Sequence, residues 1–378
     1  MPIRFLPWIY LSVIATVPVS VACFRFCPET GLTSLLRFGS NYEHLRSEEL
    51  RAQPRHVIPN HYGYDAQFYA EIALNLPKLE KERLENSCDL ASYRVRRILM
   101  PALAALLGWG QPGIVLNVYA ALNLVAWLTL AAIAWHLLPP VSWTNGARFA
   151  ALLLAAGNLE SLRASLPDLP ALTLILGAVL LNRRGRPWSA TVLLALAGLC
   201  KETSVLAAVL FWPNPGSDAR TWMKAALHAA LGIAPTVLWW VFLRAHFGPG
   251  PEGMVNFTWP LAGWLDVAHR GLNALAEGTT DSGRWIFFWF ASLSVAFQLA
   301  LFWSVLPKTN LFWRASLGFA LLLPLLGEPV WSGYWAILRN ILPLTAACIL
   351  LAPPGRWLLP FLVLISIPSL HALFRLAF

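Results

Sequence analysis

Long apolar stretches, broken by Pro, Gly and short charged turns, run through most of the chain. Their lengths and breaks predict helices near 5–26, 112–138, 147–161, 168–182, 188–200, 202–213, 222–247, 284–306, 311–327, 335–352 and 356–376, about eleven spans in all. The pattern is that of an all-α polytopic membrane protein forming a single integral membrane domain over 1–378. Several spans fall short of the roughly 20 residues that a straight crossing needs. Such helices pack inside the protein or line a cavity, where broken backbone is tolerable. The first run is too long for a signal-peptide core. Ser20 also stands where a lipoprotein cleavage site would have Leu, so the reading is an uncleaved first span. A long polar segment, 28–97, separates it from the bundle at 98–378, whose first piece, 98–108, re-enters the membrane.

Composition strengthens this reading. The chain is 57% hydrophobic and 12% charged, against about 25% charged in ordinary soluble domains. Nineteen Trp and twenty Phe suit a protein with many membrane–water boundaries. The net charge of +9 comes mostly from short loops, so it orients helices and points to no nucleic-acid partner. Arg183, Arg184 and Arg186, then Arg220 and Lys224, Lys308 and Arg314, and Arg356 mark cytoplasmic turns. That places the N-terminus inside and the segment 28–97 outside, together with the loops near 162–167, 248–283 and 328–334. The segment 28–97, with ten basic and ten acidic residues, is too long for the charge rule to govern.

The alternation requires 188–213 to be two half-spans that turn near Cys200-Lys201-Glu202-Thr203. A continuous helix would put Lys201 and Glu202 in mid-bilayer and reverse everything downstream, so the exact span count turns on this point. No internal repeat of the kind many transporters carry is visible. The five cysteines lack metal spacing, and Cys23, Cys27, Cys200 and Cys348 read as packing residues. His56 and His61 are the only close histidine pair and are poor candidates for zinc.

The most informative stretch is Asn60-His61-Tyr62-Gly63-Tyr64-Asp65-Ala66-Gln67-Phe68-Tyr69-Ala70-Glu71-Ile72-Ala73. Gly63 permits a sharp turn. Tyr64, Phe68, Ile72 and Leu76 then recur every four residues, predicting an amphipathic helix whose apolar stripe lies on the outer membrane boundary. Glu71 is expected to face water. By position alone, Asp65 reads as an N-cap or a first-turn acid.

Gly63-Tyr64-Asp65-Ala66-Gln67-Phe68-Tyr69 resembles the Gly-Tyr-Asp-Gly-Gln-Phe-Tyr segment of a group of bacterial membrane glycosyltransferases in the GT-C superfamily. Three further stretches are similar to elements of those proteins: Tyr93-Arg94-Val95-Arg96-Arg97-Ile98-Leu99-Met100-Pro101, Leu199-Cys200-Lys201-Glu202-Thr203, and Arg339-Asn340-Ile341-Leu342-Pro343-Leu344. The one departure in the first motif is Ala66 in place of Gly. The resemblance implies a hexosyltransferase, mannosyltransferase-like, of the cell envelope. It would take its sugar from a polyprenyl-phosphate donor and pass it to a glycan, lipid or protein acceptor. Its setting would be the bacterial inner membrane, with the site facing the periplasm and Asp65 as the catalytic acid of the first outer loop.

Such chemistry needs a carboxylate to take the acceptor proton, which suits Asp65. It also needs cations for the lipid-phosphate leaving group, which suits Arg94, Arg97, Lys201 and Arg339. One strong carboxylate candidate fits single-step, inverting transfer. Tyr64, Gln67, Asp168 and Glu202 are secondary acidic or positioning candidates. The bland readings stay open. Arg94, Arg96 and Arg97 could snorkel to headgroups, Lys201 and Glu202 could neutralise each other, and Asp168 could only cap a helix. Arg339, a few residues inside an apolar span, needs a partner, with Glu328 or a substrate phosphate as candidates. Trp259, Trp264 and Trp331 could stack on sugar or simply mark an interface. No cofactor is certain, and a divalent cation stays open. The rival functions are a transporter or flippase of a lipid-linked or anionic substrate, and a non-catalytic partner in envelope assembly.

Overall fold

The computed structural model describes residues 3–248, 256–277 and 282–377. Part of the outer loop expected at 248–283 therefore lies outside the described residues. The described residues are helical almost throughout, and the one sheet among them is a two-residue parallel pairing of Phe38–Gly39 with Val57–Ile58. Among the described residues, five helices are long and apolar enough to cross a membrane: Leu6–Phe24, Pro112–Leu137, Ala219–Phe247, Trp285–Ser304 and Leu358–Leu376. Tyr334–Asn340 and Leu342–Leu351, bent by 66°, make a sixth if taken as one broken span. The other predicted spans fall on shorter helices, among them Asp168–Arg183, Pro187–Cys200, Glu202–Phe211 and Leu311–Leu322.

Local chemistry sets several boundaries. Pro112 opens its helix in the first turn, where a missing N–H costs nothing. Ser142, Asp218 and Asn310 cap theirs by accepting from Asn145, Thr221 and Phe312 amides. The run expected at 147–161 is instead two helices, Trp143–Leu153 and Ala156–Arg163. Ala155 swings to ψ 135°, and Asn158 Nδ2 donates to the freed Leu152 carbonyl at 2.8 Å. The second helix then passes so close to Tyr334–Asn340 that a Cβ on Gly157 would meet the Leu338 carbonyl at 2.5 Å. Only Gly fits there.

At Lys201 the backbone becomes extended (φ −148°, ψ 120°) and the chain doubles back. One contact records the reversal and a second anchors its tip. Asn182 Nδ2, at the far end of the Asp168–Arg183 helix, donates to the Leu210 carbonyl at 3.3 Å. At the near end, Cys200 Sγ reaches the Pro167 carbonyl at 3.4 Å. Lys201 and Glu202 thus sit on a tip, beside the start of the Asp168–Arg183 helix.

The segment 28–97 wraps against this same end of the bundle and contains the Ala66–Leu74 helix. That helix does not lie on a boundary: all nine of its residues are buried. It packs on the Leu99–Leu107 and Pro112–Leu137 helices, with Tyr69 and Tyr119 rings 6.4 Å apart. Glu71 is likewise buried rather than wet, because the Ser47 turn folds over it. The Ser47 hydroxyl and amide reach its carboxylate at 2.7 and 3.2 Å. Burial raises the Glu71 pKa, with Ser47 and Arg46 opposing.

Candidate active site

Asp65 is placed by the turn before it. Gly63 has φ +74°, and a side chain there would collide with Gln67 and the Arg37 carbonyl. Tyr64 N donates to that same carbonyl at 3.0 Å, pinning the turn. Gln67 completes the brace. Its Oε1 accepts from Gly39 N at 3.2 Å and from Arg46, while its Nε2 donates to Tyr62 O at 2.8 Å. Gln67 is buried behind the site and does not line it. Asp65 occupies the N-cap position of the Ala66–Leu74 helix but makes no side-chain cap. Its carboxylate points elsewhere.

It points at Arg94, whose Nη1 lies 3.1 Å from Asp65 Oδ2. Arg94 is held in turn by Asp89, Nε to Oδ1 at 2.9 Å and Nη2 to Oδ2 at 2.7 Å. Burial alone would raise the Asp65 pKa. Arg94, Arg339 and Arg97 outweigh it and hold the carboxyl below its ordinary value.

Arg97 binds Glu202 through a fork, Nε and Nη2 each 2.9 Å from a carboxylate oxygen. It also donates to the hydroxyls of Tyr69 at 2.7 Å and Tyr93 at 2.8 Å. Lys201 does not pair with Glu202. Its Nζ reaches Asp168 Oδ1 at 2.5 Å and Asn340 Oδ1 at 2.8 Å. Arg339 Nη1 shares Asp168 at 3.1 Å, and its Nη2 meets the Tyr64 hydroxyl at 3.0 Å. Asp168 is therefore a two-cation clamp, not a helix cap. Glu328, considered as a partner for Arg339, pairs with Arg270 instead.

These groups line one cavity of about 640 Å³. Asp65, Asp168 and Glu202 face it together with Arg94, Arg96, Arg97, Lys201 and Arg339, an excess of two positive charges. The remaining wall is apolar and aromatic, including Leu206, Trp240, Phe257, Leu322, Leu326 and Trp335. No family model, curated protein or solved structure matches the chain. What the site does must be argued from its own groups.

Eight of the nine expected site residues converge here, and Gln67 supports them from behind. Arg96 packs its guanidinium 5.1 Å from the Trp240 ring and 5.6 Å from Tyr93. Trp259 is 84% exposed and stands away from the lining, Trp264 donates to Ser292 Oγ at 3.1 Å, and Trp331 is buried. The sequence reading missed Asp89, Tyr69, Tyr93 and Asn340. Tyr69, Tyr93 and Asn340 lie inside the quoted motifs, so their neighbours signalled them. Asp89 carried no signal of its own in an acid-rich stretch. Among the described residues, no group of three or more His, Cys, Asp or Glu side chains could hold a metal ion. The three cavity carboxylates are instead occupied by Arg94, Arg97, Lys201 and Arg339, so this donor set does not fit a divalent cation.

Proposed function

We propose that the chain is a membrane glycosyltransferase of the GT-C kind, moving a sugar from a polyprenyl-phosphate donor to an acceptor hydroxyl. Its bilayer would be the bacterial inner membrane, with the cavity open to the periplasm and the short helices completing about eleven passes. One observation carries the reading. Asp65 stands on the wall of a cavity that has a cation-rich end and an apolar side, as a lipid phosphate with a sugar would require.

The acceptor oxygen attacks the anomeric carbon while its proton passes to Asp65. The bond from that carbon to the phosphate oxygen breaks, and its electron pair leaves with the phosphate. Arg94, Arg97 and Arg339, beside Asp65, receive the growing negative charge. A low-pKa carboxylate is a weak base at rest. A phosphate bound on the neighbouring guanidiniums offsets their field and raises the proton affinity of Asp65 when substrate is present. The single attack inverts the sugar. Lys201 and Arg339 are fixed by Asp168, so Asp168 orders the phosphate end without taking a proton.

The test is Asp65→Asn in membranes supplied with radiolabelled polyprenyl-phosphate sugar. The variant should fold and should transfer no sugar. Full transfer would remove Asp65 from the mechanism, and a product with retained configuration would remove the single-step attack.

A further inference from the structure

A second charged cluster lies outside the cavity, where four separate parts of the chain meet. Arg163 donates to Glu160 Oε2 through Nε at 3.1 Å and Nη2 at 2.9 Å, and Arg375 Nη1 reaches Glu160 Oε1 at 2.9 Å. Arg25, just past the Leu6–Phe24 helix, donates to the carbonyls of Arg375 at 2.6 Å and Leu376 at 2.8 Å. Arg37 completes the group from a left-handed backbone position, φ 56°. Burial, then Arg163, Arg25 and Arg375, push the Arg37 pKa down to about 10, with Glu160 only partly offsetting them.

The charges do not balance. Of the four guanidiniums only those of Arg163 and Arg375 pair with a carboxylate among the described residues, both with Glu160, and Arg163 and Glu160 are only 2% and 3% exposed. The carbonyls at the end of the last helix take up part of the charge of Arg25. Nothing comparable serves Arg37, whose Nε is buried without a hydrogen-bond partner. Buried positive charge without a counter-charge is strongly unfavourable. Among the described residues the arrangement keeps an excess of positive charge, which favours an anion beside Arg37.

Position narrows the partner. Arg25 and Arg375 stand at the ends of two helices of membrane-crossing length, Leu6–Phe24 and Leu358–Leu376. That is the depth at which phospholipid phosphates sit. The cluster borders the cavity but is separate from it. Arg375 lies 4.9 Å over the Trp335 ring, and the Arg37 carbonyl holds Tyr64 N; Trp335 and Tyr64 are both cavity walls.

We infer that this cluster is a second anion site, which binds a phosphate group with Arg37 as its open ligand, supported by Arg163, Arg375 and Arg25. The phosphate belongs either to a phospholipid headgroup or to a free phosphate. The site stands whether or not the cavity transfers sugar.

The experiment uses the full chain purified in dodecyl maltoside. Thermal midpoints are followed against added phosphatidylglycerol, diacylglycerol without phosphate, and inorganic phosphate against chloride at matched ionic strength. The wild type should be stabilised by phosphatidylglycerol and not by diacylglycerol, and native mass spectrometry should retain the phospholipid. A matching response to inorganic phosphate means the site takes the group without its tail. Response to the lipid alone assigns the headgroup. Arg37→Gln loses no internal partner, so it should fold and bind the anion at least tenfold more weakly. Arg356→Gln, at an exposed and remote arginine, should respond as the wild type does. Equal effects of phosphatidylglycerol and diacylglycerol with no effect of phosphate, or a full response in Arg37→Gln, would overturn the proposal.

Discussion

Arg94 holds Asp65 and Asp89 at once: Nη1 lies 3.1 Å from Asp65 Oδ2, while Nε and Nη2 grip Asp89 at 2.9 and 2.7 Å. Asp89 thus aims the guanidinium that keeps the candidate base ionised. It is a positioning residue, and its removal should act through Arg94.

Asp89→Asn should lower kcat for sugar transfer about 10- to 100-fold, the usual effect of misplacing a reacting group by a fraction of an ångström or more, with KM changed less. Arg94→Gln should move the acid limb of the rate profile upward in pH, because Arg94 is the largest of the influences depressing the Asp65 pKa. The sign for stability follows from the same depression. A carboxylate depressed on folding stabilises fully above its unfolded pKa, about 3.9. That contribution is lost only as pH falls through the lower folded value. Wild-type midpoints should therefore show no loss from Asp65 between about pH 5 and 8. An Asp89→Asn enzyme with unchanged kcat would end the positioning argument.

The Arg97–Glu202 fork joins the wrapped segment to the Lys201 tip, and the two side chains are 12% and 13% exposed. Glu202→Gln leaves Arg97 charged with only two tyrosine hydroxyls. Breaking one side of such a pair costs about 3–5 kcal/mol, readable as a fall in the thermal midpoint. The double variant Arg97→Met with Glu202→Met should recover much of that loss, since no lone charge remains. Equal damage in the single and double variants would mean that the fork contributes nothing specific.

Much of this arrangement was legible in the sequence, and the gaps have physical causes. Apolar run length identified the five helices long enough to cross, but not which of the other six expected runs span the membrane, since those fall on short or broken helices. The same signal could not reveal the break at Ala155, which depends on Asn158 satisfying one freed carbonyl. Asp65, Arg97 and Lys201 were found through motif residues. The pairings of these residues were not, because pairing is set by tertiary contacts. Lys201 sits next to Glu202 in sequence and still binds Asp168, whose helix starts beside the tip. Period-four spacing correctly gave the 64–76 segment a helical reading. It placed the helix on a surface because the covering Ser47 turn lies about twenty residues earlier and leaves no periodic trace.

Asp168 and Asp65 should separate cleanly by experiment. Asp168 binds Lys201 at 2.5 Å and Arg339 at 3.1 Å, and its side chain is 5% exposed. Asp168→Asn strands two cations and should cost about 3–5 kcal/mol along with activity. Asp65 is 29% exposed, and its partner Arg94 keeps Asp89 when Asp65 is neutralised. Asp65→Asn should therefore abolish turnover with little change in midpoint. Comparable destabilisation by the two substitutions would make Asp65 a structural acid.

The reversal at Lys201 sets the direction of every later helix, and it can be measured directly. A continuous helix from Pro187 to Phe211 would run about 37 Å at 1.5 Å per residue, carrying Leu210 far from Asn182. The fold instead brings the Leu210 carbonyl within 3.3 Å of Asn182 Nδ2. Single cysteines at Tyr62, which is 66% exposed, and at exposed Pro215 report the consequence. Cys23 and Cys27, the two free cysteines that are not buried, are first replaced by serine. With the chain turning at Lys201, an impermeant thiol reagent added outside intact cells should label the Tyr62→Cys variant. It should reach the Pro215→Cys variant only after permeabilisation. Labelling of both from the outside would require a continuous crossing through Lys201 and Glu202. It would also take the Asn182–Leu210 contact apart, because Leu210 would then lie beyond the start of the Asp168–Arg183 helix instead of beside its end.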